Sequence, residues 1–362
     1  MPYIRTKHIK GNSYRYLVEG YREFGKVKQR TLKYLGAAPG LPRCAPTAVV
    51  LFAGGGGVEC GLVAAGIRPV ASVEFDPGNP ELSRAIACNN HLNFKPYGGK
   101  VIRETVESLA ENFFPDFPLQ PDYLHASPMC SNFSAANDRA EQKQDIEAAI
   151  AVARALSILQ PGCFTLENVP AYENSESWYL IEAALKGEGY QIAAAVLDAA
   201  DYGVPQSRKR FIVKGSRDRP GLPPKQKRIG WYEALADLIP SLPSSELLPA
   251  QQRVLDEKLS LKPGLEALLI ERSGSRNSPQ VREPADPCWT IKKSIFHDHK
   301  GASRSRFIDV WLADGTVKAL NVEAVARLQG FPPWYYLPDK VSIAGSILGY
   351  SVPPPLITAL VS

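Results

Sequence analysis

Between residues 47 and 215, short apolar runs alternate with longer stretches of helical spacing, and this alternation restricts the fold more than any other feature. Runs at 48–52, 70–74, 123–126, 163–167, 192–197 and 211–214 read as strands. The stretches at 58–66, 80–90, 141–159 and 176–187 read as helices. A strand that is apolar throughout, rather than at every second residue, is buried on both faces, and the intervening helices supply the cover. The expected class is α/β, with a mostly parallel sheet.

The flanks break this rhythm. Residues 1–43 are basic and carry two strand-like segments, Tyr14-Arg15-Tyr16-Leu17-Val18 and Thr31-Leu32-Lys33-Tyr34-Leu35, with a turn between them at Phe24-Gly25-Lys26. A Gly-, Ala- and Pro-rich linker follows at 36–46. Residues 216–300 are dominated by Pro, Gly, Ser and charge, as in a loop-rich domain, and helical character returns at 322–328 and 355–361. The expected organisation is a short β-rich N-terminal extension (1–43), a main domain (44–215), a smaller irregular domain (216–310) and a C-terminal part that completes the main domain (311–362).

The net charge of +5 says little until it is located. Residues 1–36 hold nine Lys and Arg against two Glu. Residues 276–306 hold seven against three acids, with His297 and His299 besides. Two basic segments on a nearly neutral body suggest a polyanionic partner, the alternative being a merely solvated surface. The six cysteines contain no Cys-x-x-Cys pair, so neither a metal centre nor a disulfide framework is expected. With no secretory signal pattern and no apolar run of ~18 residues, a cytoplasmic protein without a membrane span is expected.

The first apolar run leads into Phe52-Ala53-Gly54-Gly55-Gly56-Gly57 and then a helix. Glycines there let a ligand approach the backbone and supply positive φ at low steric cost. Glu74 ends the next run, where a carboxylate meets ribose hydroxyls in dinucleotide-type folds. A nicotinamide dehydrogenase is disfavoured, because Val58 occupies the middle position of the one Gly-x-Gly-x-x-Gly frame between Gly56 and Gly61. A phosphate loop is disfavoured too, since no Gly-Lys-Ser/Thr follows. The loop alone supports some nucleoside cofactor.

Four further segments sharpen the reading: Ser127-Pro128-Met129-Cys130-Ser131-Asn132-Phe133-Ser134, Leu166-Glu167-Asn168-Val169-Pro170, Tyr202-Gly203-Val204-Pro205-Gln206-Ser207-Arg208-Lys209-Arg210 and Gly349-Tyr350-Ser351-Val352. With the glycine loop, their order and spacing resemble the C5 cytosine DNA methyltransferases over about residues 47–215 and 318–361. The resemblance implies a Rossmann-like methyltransferase core, S-adenosyl-L-methionine as cofactor, double-stranded DNA as partner and the 216–310 region as target-recognition domain. The protein is expected to act as a monomer, in the cytoplasm on the chromosome.

The chemistry also follows from residue types. Carbon 5 of cytosine is too weak a nucleophile to take a methyl group from a sulfonium until a thiolate adds at C6 and makes the ring an enamine. Cys130, followed by a polar Ser/Asn loop at a strand end, is the candidate nucleophile; Cys60, Cys88 and Cys163 read as small buried hydrophobes. Glu167 suits protonation or hydrogen bonding at N3, and Arg210 a charge-assisted bond to O2. The resemblance gives Arg208 a positioning role. The target base must leave the duplex, with residues 131–144 expected to close over it, and the resemblance implies that Ser134 contacts its phosphate. Ser131, Gln206, Arg282, Lys292 and Lys293 are further expected DNA contacts. The expected cofactor contacts are Phe52, Gly54, Gly56, Gly57, Glu74, Phe75, Glu104, Thr105, Pro128, Ser351 and Val352.

The sequence departs from the family at Val50, where an Asp is usual, at Met129 (Pro), Tyr350 (Asn) and Glu104 (Asp), which bears on cofactor geometry rather than on the reacting groups. A zinc cytidine deaminase needs a second Cys three residues after Cys130, where Phe133 stands. A catalytically silent DNA-binding protein would lack Cys130 or Glu167. The tRNA-modifying branch carries a Cys-Phe-Thr in its variable region, and Cys163-Phe164-Thr165 has those letters in the strand before Glu167. The basic extension faintly resembles segments at the start of some transposases. It is expected either to grip DNA or to dock on the main domain as a hairpin.

Overall fold

The computed structural model describes residues 2–9, 12–129, 141–272, 279–296 and 307–362. Cys130, Ser131 and Ser134 lie outside the described residues.

Three antiparallel strands open the chain: β1 (Pro2–Ile9), β2 (Asn12–Glu23) and β3 (Lys26–Ala38). The sequence suggested only two. The β2–β3 turn is Phe24-Gly25, both with positive φ (47° and 76°), as in a two-residue type I′ hairpin. The sheet docks on the body through Arg15, which is 1% exposed and whose guanidinium carbon lies 4.5 Å from the ring centroids of both Tyr97 and Trp334. Leu17, Val18, Leu35 and Ala38 are buried as well.

The main domain follows as β4 (Thr47–Leu51), α1 (Gly57–Ala64), β5 (Arg68–Val73), α2 (Pro80–Phe94), β6 (Lys100–Ile102), α3 (Val106–Glu111), β7 (Tyr123–Ala126), α4 (Lys143–Leu159), β8 (Cys163–Asn168), α5 (Glu176–Gly187), β9 (Gln191–Asp198) and β10 (Lys209–Ser216). They form a seven-stranded sheet in the order β6-β5-β4-β7-β8-β10-β9. It is parallel except at β10, which runs antiparallel to both β8 and β9. Strand β4 shows why its run is uniformly apolar. Val49 and Leu51 pack with Val152 and Leu156 of α4 and Ile181 of α5, while Ala48 and Val50 pack with Val58 and Leu62 of α1. Each of the Val, Leu and Ile side chains contributes about 1.5–3 kcal/mol by leaving water. Chain order reverses between β4 and β7, and a crevice for ligands is expected at the carboxyl ends of those strands.

The region expected to be irregular is better ordered than its composition suggested. It holds α6 (Trp231–Leu235), α7 (Pro249–Leu261) and a four-stranded sheet of β11 (Ala267–Glu271), β12 (Val281–Arg282), β13 (Ile308–Leu312) and β14 (Val317–Ala319), in the order β12-β11-β13-β14. A boundary at 310 therefore falls within a strand. The chain ends in α8 (Val322–Leu328), α9 (Val341–Tyr350) and α10 (Pro354–Val361). The stretch Val341–Val361 is apolar over the length of a membrane span, but it is mostly buried inside the protein and is interrupted between α9 and α10.

Candidate active site

The glycine loop is held from two sides. Phe52, Gly54 and Gly56 adopt positive φ (55°, 53° and 77°). A Cβ on Gly57 would stand 2.1 Å from the Val352 carbonyl oxygen, and one on Gly55 would stand 2.3 Å from that of Ile347. At Gly54 the nearest such atom is 3.8 Å away, so this is where the loop leaves room. Part of the glycine run therefore serves packing against the C-terminal segment. Ser351 and Val352 are buried beneath the loop, and the Ser351 hydroxyl donates to Ile347 O at 2.6 Å.

The ends of β4, β5 and β6 lie side by side: Ala53 N donates to Val73 O and Glu74 N to Ile102 O. Glu74 accepts from Gly54 N at 2.7 Å and from Ser83 Oγ at 3.1 Å. Burial pushes its carboxyl up to about 7, against the opposing pull of those two bonds. Phe75 follows it, half-buried. Glu104 is exposed and accepts from Thr105 N, while Thr105 Oγ1 caps α3 by accepting from Ser108 N. Fixed glycine backbone, a half-buried carboxylate with unused lone pairs and the looser packing at Gly54 fit a nucleoside with ribose hydroxyls.

On the other side of the crevice, Ser127 N donates to Leu51 O, and Pro128 O accepts from Asn168 Nδ2 at 3.2 Å. That bond ties the segment entering Cys130 to the end of β8, beside Glu167. The Glu167 carboxylate meets Arg210 Nε at 2.7 Å, with both side chains largely buried. The pairing of Ile212 with Glu167 across β10 and β8 brings them together. Arg208 is 4% exposed and donates to Ile291 O at 3.1 Å and to Gly349 O at 3.2 Å, so it locks the β10 approach to the second domain and to α9.

Gln206 is a correction. It is fully buried, accepts from Ile291 N at 2.8 Å and donates to Gln329 Oε1, so it braces the interior and does not reach DNA. Lys292 and Lys293 are exposed, and Lys293 Nζ donates to Tyr350 Oη at 3.1 Å. Arg282 lies over the Trp289 ring. Cys60 is buried as expected, but Cys88 is exposed on the outer side of α2 and Cys163 is half-buried. Among the described residues no group of His, Cys, Asp and Glu could hold a metal ion.

Residues 47–362 match the C-5 cytosine-specific DNA methylase family. The chain belongs to that family. The methylase is 26% identical to the type II methyltransferase M.XorII of Xanthomonas oryzae, over 87% of this chain and 83% of that protein. It is 27% identical to M.HaeII of Haemophilus aegyptius, over 86% and 90%. Its fold is similar to that of the Entamoeba histolytica methyltransferase EhMeth (TM-score 0.56, 18% identity, 88% of this chain and 97% of that one). The fold of the S. pombe Dnmt2 methyltransferase is similar too (TM-score 0.53, 16% identity, 87% and 96%). Residues 4–41 match a second family, the N-terminal domain of IS1634 family transposases.

Sequence reasoning missed several residues that build the candidate site. Asn90 Nδ2 donates to Gly54 O at 2.8 Å, and Tyr335 Oη to Gly55 O at 2.8 Å, so both hold the glycine loop from below. His125 bridges Thr165 Oγ1 and Ser127 Oγ at 2.9 and 2.8 Å. Burial pushes its imidazole down to about 3, so it is a neutral brace.

Proposed function

We propose that the protein transfers a methyl group from S-adenosylmethionine to C5 of a flipped-out cytosine in double-stranded DNA, through a covalent bond between Cys130 and C6. The observation that supports this most is the Glu167–Arg210 pair at 2.7 Å, held at the sheet edge next to the Pro128 segment that leads to Cys130. N3 and O2 of cytosine are adjacent edge groups, and a carboxyl and a guanidinium set side by side can engage both at once. When bound, S-adenosylmethionine supplies an electrophilic methyl group. Cys130 Sγ adds at C6, Glu167 delivers hydrogen bonding or a proton at N3, and Arg210 donates to O2 as charge builds there. Loss of the C5 proton then expels the thiolate. Arg208 keeps Arg210 in place by anchoring its strand.

Glu74, with the Phe52–Gly57 turn, would hold the cofactor ribose, and Glu74→Ala is expected to weaken S-adenosylmethionine binding by roughly 1–3 kcal/mol. Ribose hydroxyls donate best to the ionised carboxylate, so binding releases a proton from a group whose pKa is about 7. Affinity should therefore rise with pH through about 7, and Glu74→Gln should flatten that rise. Calorimetry at pH values either side of neutrality checks this; an unchanged pH slope in Glu74→Gln would place the proton elsewhere.

Duplex DNA is favoured over tRNA because Cys163-Phe164-Thr165 forms the first half of β8, paired in the sheet, and cannot serve as a variable-region motif. Labelled methyl transfer to matched DNA duplex and tRNA substrates tests this. Methylated cytosine in the DNA alone is expected, and methylated tRNA with unmodified DNA would reverse the assignment.

A further inference from the structure

The N-terminal segment holds the larger of the two basic stretches of the methylase. Residues 1–36 carry an excess of cations larger than the +5 of the whole chain, so the remainder is slightly acidic. The basic stretch at 276–306 is offset by acids elsewhere in that remainder, so the N-terminal segment adds to the general attraction to phosphates that supplies most sequence-independent DNA binding. The N-terminal sheet has a charge and a shape suited to that attraction.

Strands β2 and β3 continue past β1. Pro2 pairs with Glu19, but β2 and β3 stay paired out to Glu23 and Lys26. Residues 20–29 are therefore a two-stranded ribbon, of a width that a DNA major groove admits. At its tip Phe24 is 96% exposed and Val27 70%, so packing against the body does not account for its length.

One face of the sheet is cationic and aromatic. Arg5 lies opposite Tyr16, and Tyr16 opposite Tyr34, and cross-strand partners share a face. Lys7 Nζ stands 4.9 Å from the Tyr16 ring centroid, and the Tyr16 and Tyr34 rings are 5.1 Å apart. Arg5 reaches Gln29 Oε1 at 2.9 Å. Arg22, an even number of residues along β2 from Tyr16, points the same way. Among the described residues Arg5, Lys7 and Arg22 have no ion pair, whereas Lys28 and Arg30 are paired with Glu23 and Glu19. Arg15, between Arg5 and Lys7 in the adjacent strand but turned to the other face, is buried between Tyr97 and Trp334. The sheet is thus docked on one side and charged on the other.

We propose that the N-terminal sheet is a grip for duplex DNA, in which Arg5, Lys7 and Arg22 neutralise phosphates and the exposed tyrosines pack along the backbone. The proposal rests on duplex DNA being the substrate. Phosphate contacts carry no sequence information, so the grip would hold any duplex alike. Deleting the sheet would uncover Trp334 and Tyr97, so the test is the full chain carrying Arg5→Gln, Lys7→Gln and Arg22→Gln together.

Binding to a target-containing and a random duplex is measured by anisotropy over roughly 0.05–0.2 M salt, the range in which phosphate contacts change affinity most visibly. Affinity near physiological salt is expected to fall about tenfold on both duplexes, with the slope of log affinity against log salt shallower by about 2–3. Thermal unfolding, S-adenosylmethionine binding and turnover at saturating DNA should match the wild type. A normally folded variant with unchanged affinity and slope overturns the proposal. So does a loss confined to one sequence, or one seen with structured RNA and not with duplex DNA. A wild-type protein that neither binds nor methylates duplex overturns the substrate assignment, and the grip with it.

Discussion

Cys130→Ser is expected to reduce methyl transfer by more than about 10⁴-fold, beyond the range that loss of an acid–base group usually costs. An alcohol is a far weaker nucleophile than a thiolate at neutral pH, and without addition at C6 the C5 carbon stays unreactive. The crevice proposed for the cofactor lies at Gly54, Glu74 and Ser83, on the β4 and β5 side of the site. S-adenosylmethionine affinity and thermal stability should therefore stay near wild type while single-turnover transfer to DNA disappears. Full activity in the variant would remove the covalent step from the mechanism.

Glu167→Gln should lower transfer by about 10²–10⁴-fold, the usual contribution of a positioned acid or base. The amide can keep a hydrogen bond to Arg210, so the fold should survive, but it cannot deliver a proton at N3. Its loss should fall on the chemical step and leave DNA affinity nearly unchanged, because the proposed role of Glu167 is confined to a single flipped base. Rapid-quench measurement at saturating DNA separates the two. A defect confined to DNA binding would mean that Glu167 shapes the pocket and takes no part in proton movement.

The centre of the large sheet was legible because β4, β7 and β8 are buried on both faces, which writes each as a continuous apolar run, whereas the short edge strand β6 carries no such run. The N-terminal turn was legible because Phe24-Gly25 sits between β-rich segments, although β1 was not: its residues are mostly exposed and polar and carry little pattern. Helix α7 escaped notice for a similar reason, since of its thirteen residues only Gln251 and Leu255 are buried. Helix α9 was hidden by its small residues. A Cβ at Gly349 would come within 2.2 Å of Lys293 N, so the helix interior is glycine where the second domain presses against it.

The candidate reacting groups stand in motifs that the sequence shows directly, whereas the residues that support them do not. Asn90 and Tyr335 meet under the glycine loop from 245 residues apart, and no local spacing announces such a contact. Gln206 misled for the converse reason. In a run of Gln, Ser and Arg it looks like a surface contact, yet the chain turns it inward to pair with Gln329 and Ile291.

A duplex carrying 5-fluorocytosine at the target position tests the central claim most directly. The fluorine cannot leave C5 as a proton does, so addition of Cys130 and methyl transfer should leave the protein covalently attached. The predicted result is a denaturant-stable adduct with wild-type protein that requires S-adenosylmethionine, maps by mass spectrometry to Cys130 and is missing in Cys130→Ser. Release of the fluorinated duplex without an adduct, under conditions in which the unmodified duplex is methylated, would contradict the account.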